Sequence, residues 1–376
     1  MIPNRSVELH RAVSACLASF YRKEDTNVRF IGVDLHKTNF VVCFVAADDT
    51  ARTETYPLTA DGLARFTRQL GAEDEVAVEA TQNIYYFYDQ VKRHVSRIAV
   101  VDTYRFQVIA RSKKKTDKAD AAALARFLKL GWLPEVTVPS EQTRAVRQLL
   151  EARETLVSTR TKLKNMGHAA FSRNGIALTR AAFASRVSRA RLLAREDLPA
   201  HDLIILRACL RQIEELGVEI AALEAEIIAR GKGLKGLRRL LQVHGLNLLS
   251  AISLLAEVGD IAQFETSKQL VSYAGLATST RQSNETTRHG KITKQGRKRL
   301  RTAVIQAVLA MVNRTETPLM EFYQKKKREK GAGKAICATA RKLLTIIFVL
   351  LKKELDYWYL EDRLYNRKLR ALDAAA

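Results

Sequence analysis

A chain of 376 residues with 47% hydrophobic content and six prolines carries enough apolar side chain for two or three packed domains, which excludes a disordered polymer. Its 63 Lys and Arg against 40 Asp and Glu leave a formal charge of +23, carried in clusters, a balance that points to a polyanion such as nucleic acid and away from acidic small molecules. No apolar run approaches the roughly 20 residues of a membrane span, and the four cysteines, Cys16, Cys43, Cys209 and Cys337, are too scattered for a zinc site or a disulfide framework, so buried thiols in a reducing cytosol are expected.

Residues 1–28 read as an amphipathic helical extension. The apolar stretch 12–20 has close charged flanks and no cleavage context, so it is not a signal peptide. Residues 29–35 predict a strand with Asp34 near its end, 39–46 a second strand rich in Val and Phe, and 52–56 a third, joined by links short enough to imply antiparallel hairpins. The period then turns helical at Leu63, Phe66 and Leu70, followed by a strand at Glu75–Glu79, a helix at 84–92, a strand at Arg97–Val101 and helices from Tyr104 on. This order is β-β-β-α-β-α-β-α. With an acid on the first strand, one closing the fourth and two on the final helix, it is the arrangement of a ribonuclease-H-like nuclease domain.

The two helical acids lie in the run Lys113-Lys114-Lys115-Thr116-Asp117-Lys118-Ala119-Asp120. Spaced i, i+3 on a helix, Asp117 and Asp120 share one face, about 5–6 Å between their Cβ atoms. Asp34, Glu79, Asp117 and Asp120 are therefore expected to converge above the sheet and hold two Mg²⁺ ions about 3.5–4 Å apart. Magnesium is preferred because every expected ligand is a hard oxygen. Asp102 also ends a strand, but it heads Asp-Thr-Tyr-Arg, where a helix cap is the blander role. The lysines at 113, 114, 115 and 118 form a basic rim able to bring phosphate up to metal.

Residues 141–173 predict a long polar helix with Leu149, Leu156, Leu163 and Ala170 seven apart and Ala152, Thr159 and Met166 three residues after the first three, the a and d pattern of a short coiled coil. A second helix at 203–228 carries Leu203, Leu206, Leu210, Ile213, Leu216, Ile220, Leu223 and Ile227, and a hairpin of the two leaves apolar seam for self-association. Between them runs an Arg-rich connector, 176–199, a candidate grip for a phosphate backbone. A glycine-rich boundary at 231–236 precedes a helix-hairpin-helix-like segment that turns at Gly245 and closes at Gly259. Such a turn can offer backbone N–H groups to phosphate. A helix ending at Gly275 leads to a polar loop with Ser279 and Ser283. Seven of the fourteen residues from Arg288 to Arg301 are Lys or Arg, enough to hold several phosphates of a nucleic acid: Arg288, Lys291, Lys294, Arg297, Lys298, Arg299 and Arg301. Helices fill the tail, and the Gly331-Ala-Gly-Lys334 run lacks the first glycine and the Ser/Thr of a phosphate-binding loop, so no ATP site is expected.

The segments Gly-Val-Asp34, Val-Glu79-Ala-Thr and Lys-Thr-Asp117-Lys-Ala-Asp120-Ala, with Leu-Leu-Ala-Glu-Val-Gly259-Asp, Lys-Gln-Leu-Val-Ser-Tyr-Ala-Gly275-Leu and Gly290-Lys-Ile-Thr-Lys-Gln-Gly-Arg-Lys-Arg-Leu-Arg301, resemble the IS110 family of insertion-sequence transposases over roughly residues 30–352. That resemblance implies a RuvC-like DEDD domain at 29–138, a helical coiled-coil linker at 139–235, a mainly helical serine transposase domain at 236–325 and a basic helical tail at 326–376. It implies an α/β domain followed by an α region, acting on donor and target DNA with a noncoding bridge RNA, as a dimer or tetramer, in the cytoplasm of a bacterial or archaeal cell, at the nucleoid. By position, the matching nucleophile is Ser283, working beside the DEDD metals, often those of a neighbouring protomer. The family's usual Ser-Gly is Ser283-Asn284 here, which leaves Ser279 as a rival. Two other functions fit the residues: a structure-selective nuclease that hydrolyses DNA with the four acids, and a non-enzymatic nucleic-acid-binding protein.

Overall fold

The structure is a computed structural model that describes residues 28–103, 105–106, 116–195, 197–283, 286–312 and 316–374; the predicted helical extension lies outside the described residues except for Val28. The chain divides after Val138 into two compact units.

In the first unit the strands are β1 (Phe30–Leu35), β2 (Asn39–Val45), β3 (Ala51–Pro57), β4 (Glu75–Glu79) and β5 (Arg97–Val101). They form one sheet in the order β3-β2-β1-β4-β5. The first three strands are an antiparallel meander, while β4 and β5 run parallel to β1. Parallel neighbours need crossovers, which α1 (Ala60–Thr67) and α2 (Ile84–Val91) supply. Residues two apart share a face of a strand. Ile31, Val33 and Leu35 therefore join Phe66 and Phe87 of α1 and α2 in one core. Phe30, Ala77 and Val101 pack instead on Leu124 and Leu128 of α3 (Asp117–Lys129). Both faces of the sheet are covered, so its central strands read as nearly continuous apolar runs. The predicted element order is the observed one.

Gly32 lies where α3 presses on the sheet. A Cβ there would stand 1.9 Å from the Ala121 carbonyl oxygen and 2.5 Å from the Ala125 nitrogen. Gly32→Ala is expected to push the helix off β1 and to cost at least the roughly 1–3 kcal/mol typical of an overfilled core. Chemical denaturation followed by circular dichroism checks this, and an unchanged midpoint would mean the helix can slide without loss.

In the second unit, α4 (Glu141–Arg173) and α6 (Ala200–Gly231) run antiparallel with α5 (Arg186–Leu193) between them in sequence. Gln142 Nε2 donates to the Arg230 carbonyl (2.8 Å) at one end, and Arg153 Nε to Glu224 (2.7 Å) in the middle. At the other end Arg173 and Asn174 donate to the buried Asp202 at 2.5 and 2.7 Å, which holds its carboxyl below the usual carboxylate range. Burial on α4 concentrates near its two ends, at Val146 and Leu150 and at Gly167, Ala170 and Phe171. Of the predicted heptad positions, Leu149, Leu156 and Leu163 are half-buried, whereas Ala152, Thr159 and Met166 are exposed. Two helices cover only one stripe on each other.

The main core of this unit draws on Val146 of α4, Ile227 of α6, and helices α7 (Leu237–Leu241), α8 (Leu248–Val258), α9 (Ser267–Tyr273), α10 (Lys298–Val312), α11 (Pro318–Lys330), α12 (Ala332–Lys352) and α13 (Asp362–Ala374). It continues across residues 235 and 325. The glycine-rich stretch expected to be a flexible boundary is packed: a Cβ on Gly231 would meet Ile252 at 2.4 Å, and one on Gly236 would meet Leu351 at 2.4 Å. The turn between α7 and α8 forms as predicted, with Gly245 at φ +78°, and it sits against α10, 2.3 Å from the Ala307 carbonyl oxygen to an added Cβ. The stretch read as a polar loop is a two-stranded hairpin, β6 (Thr278–Ser283) and β7 (Thr286–Ile292). Among the described residues no helix is long and apolar enough to cross a membrane.

Candidate functional site

Asp34 lies on the α3 face of β1, two residues beyond Gly32. Glu79 takes the equivalent place on β4, because the parallel register pairs Gly32 with Ala77 and Val33 with Val78. Adjacent strands are about 4.8 Å apart, so the two acids leave the sheet side by side at the carboxyl ends of their strands. Thr116 caps α3 by accepting from the Ala119 N–H at 3.2 Å, which fixes Asp117 and Asp120 in the first helical turn. Anionic side chains are favoured there by the helix dipole.

One ligand atom from each of Asp34, His36 and Asp117 lies within 4.8 Å of the others. His36 Nε2 is 3.3 Å from Asp34 Oδ2 and 3.2 Å from Asp117 Oδ2. That nitrogen is buried and makes no hydrogen bond. An imidazole nitrogen this close to two carboxylate oxygens calls for positive charge among them, either a proton on the ring or a cation held by all three groups. The donor set, one imidazole nitrogen and two carboxylates at the head of a helix, therefore fits a divalent cation. Glu79 and Asp120 are partly buried beside this group and are not part of its tight cluster. Asp102 instead accepts from the Arg105 N–H at 3.2 Å, a helix-capping role.

No sequence pattern singles out His36. Its position depends on Asn83, whose Nδ2 donates to the carbonyls of His36 (3.4 Å) and Lys37 (3.3 Å) and so pins the β1–β2 turn from 46 or 47 residues away. Nothing in the spacing of His36 announces that contact.

The basic residues divide into two groups. Lys113, Lys114 and Lys115 lie outside the described residues, and Lys118 is exposed in the first turn of α3. Arg297 Nε donates to the Tyr273 hydroxyl at 3.0 Å with its guanidinium over that ring. Arg299 pairs with Glu154 (2.7 Å) and Glu151 (3.4 Å) beside a cavity of about 480 Å³. Arg301 donates to the Ala274 carbonyl at 3.0 Å and the Lys294 carbonyl at 3.3 Å. These three hold α10 and its approach to the rest of the unit. Lys291, Lys294 and Lys298 are the ones left at the surface or half-exposed, and Arg288 lies on β7.

Ser283 ends β6 opposite Thr286, at the tip of the hairpin, whereas Ser279 lies near its base. The Ser279 hydroxyl donates to the Lys291 carbonyl at 3.4 Å and rests against Gly290, where an added Cβ would stand 2.3 Å from it.

Comparison with known proteins matches two family profiles: a DEDD-type transposase profile of the IS110 group over residues 31–173, and one described as Transposase IS116/IS110/IS902 family over residues 237–324. A protein of Pseudomonas aeruginosa named Probable family 20 transposase is 28% identical over 291 residues, 75% of this chain and 85% of its own length. The transposase for insertion sequence element IS1111A of Coxiella burnetii is 28% identical over 248 residues, 65% of this chain and 68% of its own. The pilin gene-inverting protein of Moraxella bovis is 24% identical over 344 residues, 86% of this chain and 96% of its own. The first profile ends with α4 and the second begins with α7, so residues 174–236 fall between them.

Proposed function

The chain belongs to the IS110/IS116 transposase family, and from that premise we propose that it cleaves and rejoins DNA with a ribonuclease-H-like, RuvC-like N-terminal domain and a serine nucleophile in its C-terminal unit. The observation that carries this reading is the convergence of Asp34, His36 and Asp117 at the carboxyl end of β1 and the head of α3. Asp34, Glu79, Asp117 and Asp120, with His36, would hold the divalent cations, two Mg²⁺ ions by the oxygen-rich donor set. A divalent cation bound there supplies positive charge that polarises a phosphoryl oxygen and stabilises charge developing in the transition state.

The protein's own groups do the rest. The carboxylates fix the site's geometry, and Asn83 keeps His36 turned into it. Ser283 is the nucleophile: its Oγ forms a bond to phosphorus and loses its proton to solvent base. The bond from phosphorus to one deoxyribose oxygen breaks, and that oxygen takes a proton. Attack by a second deoxyribose hydroxyl reverses the exchange and releases the serine. Lys118 with Lys113, Lys114 and Lys115 in the first unit, and Lys291, Lys294 and Lys298 with Arg288 in the second, neutralise backbone phosphates. The name of the Moraxella relative says that it inverts a gene. Inversion requires rejoining, which favours a recombinase over a nuclease that only hydrolyses.

A noncoding bridge RNA as guide and assembly as a dimer or tetramer complete the proposal, with the exposed heptad positions Ala152, Thr159 and Met166 as seam for a second copy. The test incubates the full chain with a DNA carrying the element's ends and its flanking transcript. Recombined product that requires both the transcript and a divalent cation supports the reading. Cleavage without joining, or joining without the transcript, removes the recombinase or the guide respectively.

A further inference from the structure

Between α5 and α6 lies a cleft of about 530 Å³ that neither the metal site nor the hairpin serine uses. Arg186 and Arg189, three apart, line it from one face of α5; Arg207 and Arg211, four apart, line it from one face of α6. Groups at these spacings are neighbours on a helix, and like charges so placed cost stability. A single acid enters the cleft, Glu214, and it is taken: Arg189 donates to it at 3.0 Å through Nη2 and 3.3 Å through Nε. Arg189 is further held by the carbonyls of Phe183 and Ala184, each at 3.4 Å. Arg186, Arg207 and Arg211 make no hydrogen bond or ion pair with another described residue. Four positive groups against one negative therefore leave the cleft at +3. On α4, burial first, then Arg160 and Arg189, push the Lys164 amine below its ordinary value. Leu193, 42% exposed, adds an apolar edge on which a sugar can rest.

We propose that this cleft is a phosphodiester-binding site that grips the sugar–phosphate backbone of a nucleic acid strand, outside both matched transposase regions. Arg189, locked to Glu214, is the rigid wall. Arg186, Arg207 and Arg211 are the groups that reach phosphate oxygens, and guanidinium forks suit that geometry better than ammonium groups. The contact is independent of base identity, so it adds affinity and register without reading sequence. The site rests on the reading that the chain acts on nucleic acid.

The test uses the full chain with labelled duplex DNA and with labelled RNA, followed by fluorescence anisotropy across a salt series. Arg207→Gln/Arg211→Gln is expected to weaken binding of at least one of the two polymers by about tenfold or more and to lower its log–log salt slope by about 1.4–1.8, two phosphate contacts at 0.7–0.9 each. Arg367→Gln/Arg370→Gln removes equal charge from exposed positions of α13 and should change neither by as much. Modification of wild-type protein with an arginine-selective reagent, mapped by mass spectrometry, gives a reading free of folding effects: Arg186, Arg207 and Arg211 should be protected by the polymer and not by equimolar inorganic phosphate. Protection by inorganic phosphate alone, by an acidic peptide alone, or no protection while the polymer is bound overturns the proposal. Failure of the wild-type chain to bind either polymer would strike the functional reading itself.

Discussion

Asp34→Ala is expected to abolish strand joining, by at least about 10³-fold in rate, while nucleic-acid binding and the denaturation midpoint stay close to those of the parent. Asp34 leaves the α3 face of β1 with only 14% of its side chain exposed, beside His36 and Asp117. Removing it takes one of two clustered carboxylates from the cation site and leaves the core on the other face of the sheet unchanged, since Ile31, Val33 and Leu35 point away. His36→Ala should act more mildly, lowering metal affinity by about 10–100-fold, and should shift preference toward Mg²⁺, because imidazole suits softer divalent ions better than magnesium. Titration with Mn²⁺ followed by electron paramagnetic resonance, with Mg²⁺ as competitor, measures both effects without turnover. Undiminished Mn²⁺ binding by the Asp34→Ala protein would remove that residue from the site.

How much of this was legible depended on the range of the interaction. The β1 pattern around Asp34, the closing Glu79 and the i, i+3 acids of α3 follow from periods of two and 3.6 residues, so the element order and the acids' common sheet face could be read locally. The bounds predicted for α4, 141–173, are those observed, because Ser140 caps the helix and Asn174 ends it. His36 stayed hidden because Asn83, 47 positions away, sets its turn. The arginines of the basic segment were read as a uniform phosphate grip. Arg299, however, pairs with Glu154 across 145 residues, and Arg297 with Tyr273 across 24. A charge run declares its sign and says nothing of which charges the fold has already engaged. The β6–β7 hairpin was missed for a different reason: Thr-Ser-Thr-Arg-Gln-Ser has strand-forming threonines but no apolar alternation to mark a buried face.

Ser283→Ala is expected to eliminate the covalent protein–DNA species and with it all recombination, whereas Ser279→Ala should retain both. The two serines stand four residues apart on one strand, and their settings differ. Ser279 is near the base of the hairpin, with its hydroxyl resting against Gly290 and donating to the Lys291 carbonyl. Ser283 pairs with Thr286 at the far end of the hairpin, away from the Lys291 carbonyl that engages Ser279. A serine hydroxyl is a weak nucleophile at neutral pH, so its attack depends on charge neutralisation by neighbouring cations. The covalent species should therefore also vanish in Asp34→Ala and when divalent cations are chelated. Denaturing gels of end-labelled DNA, run for each variant alongside recombination, decide the matter. An adduct that survives Ser283→Ala and is lost in Ser279→Ala would move the nucleophile to the base of the hairpin. Adducts unaffected by either change would mean that another group attacks the phosphate.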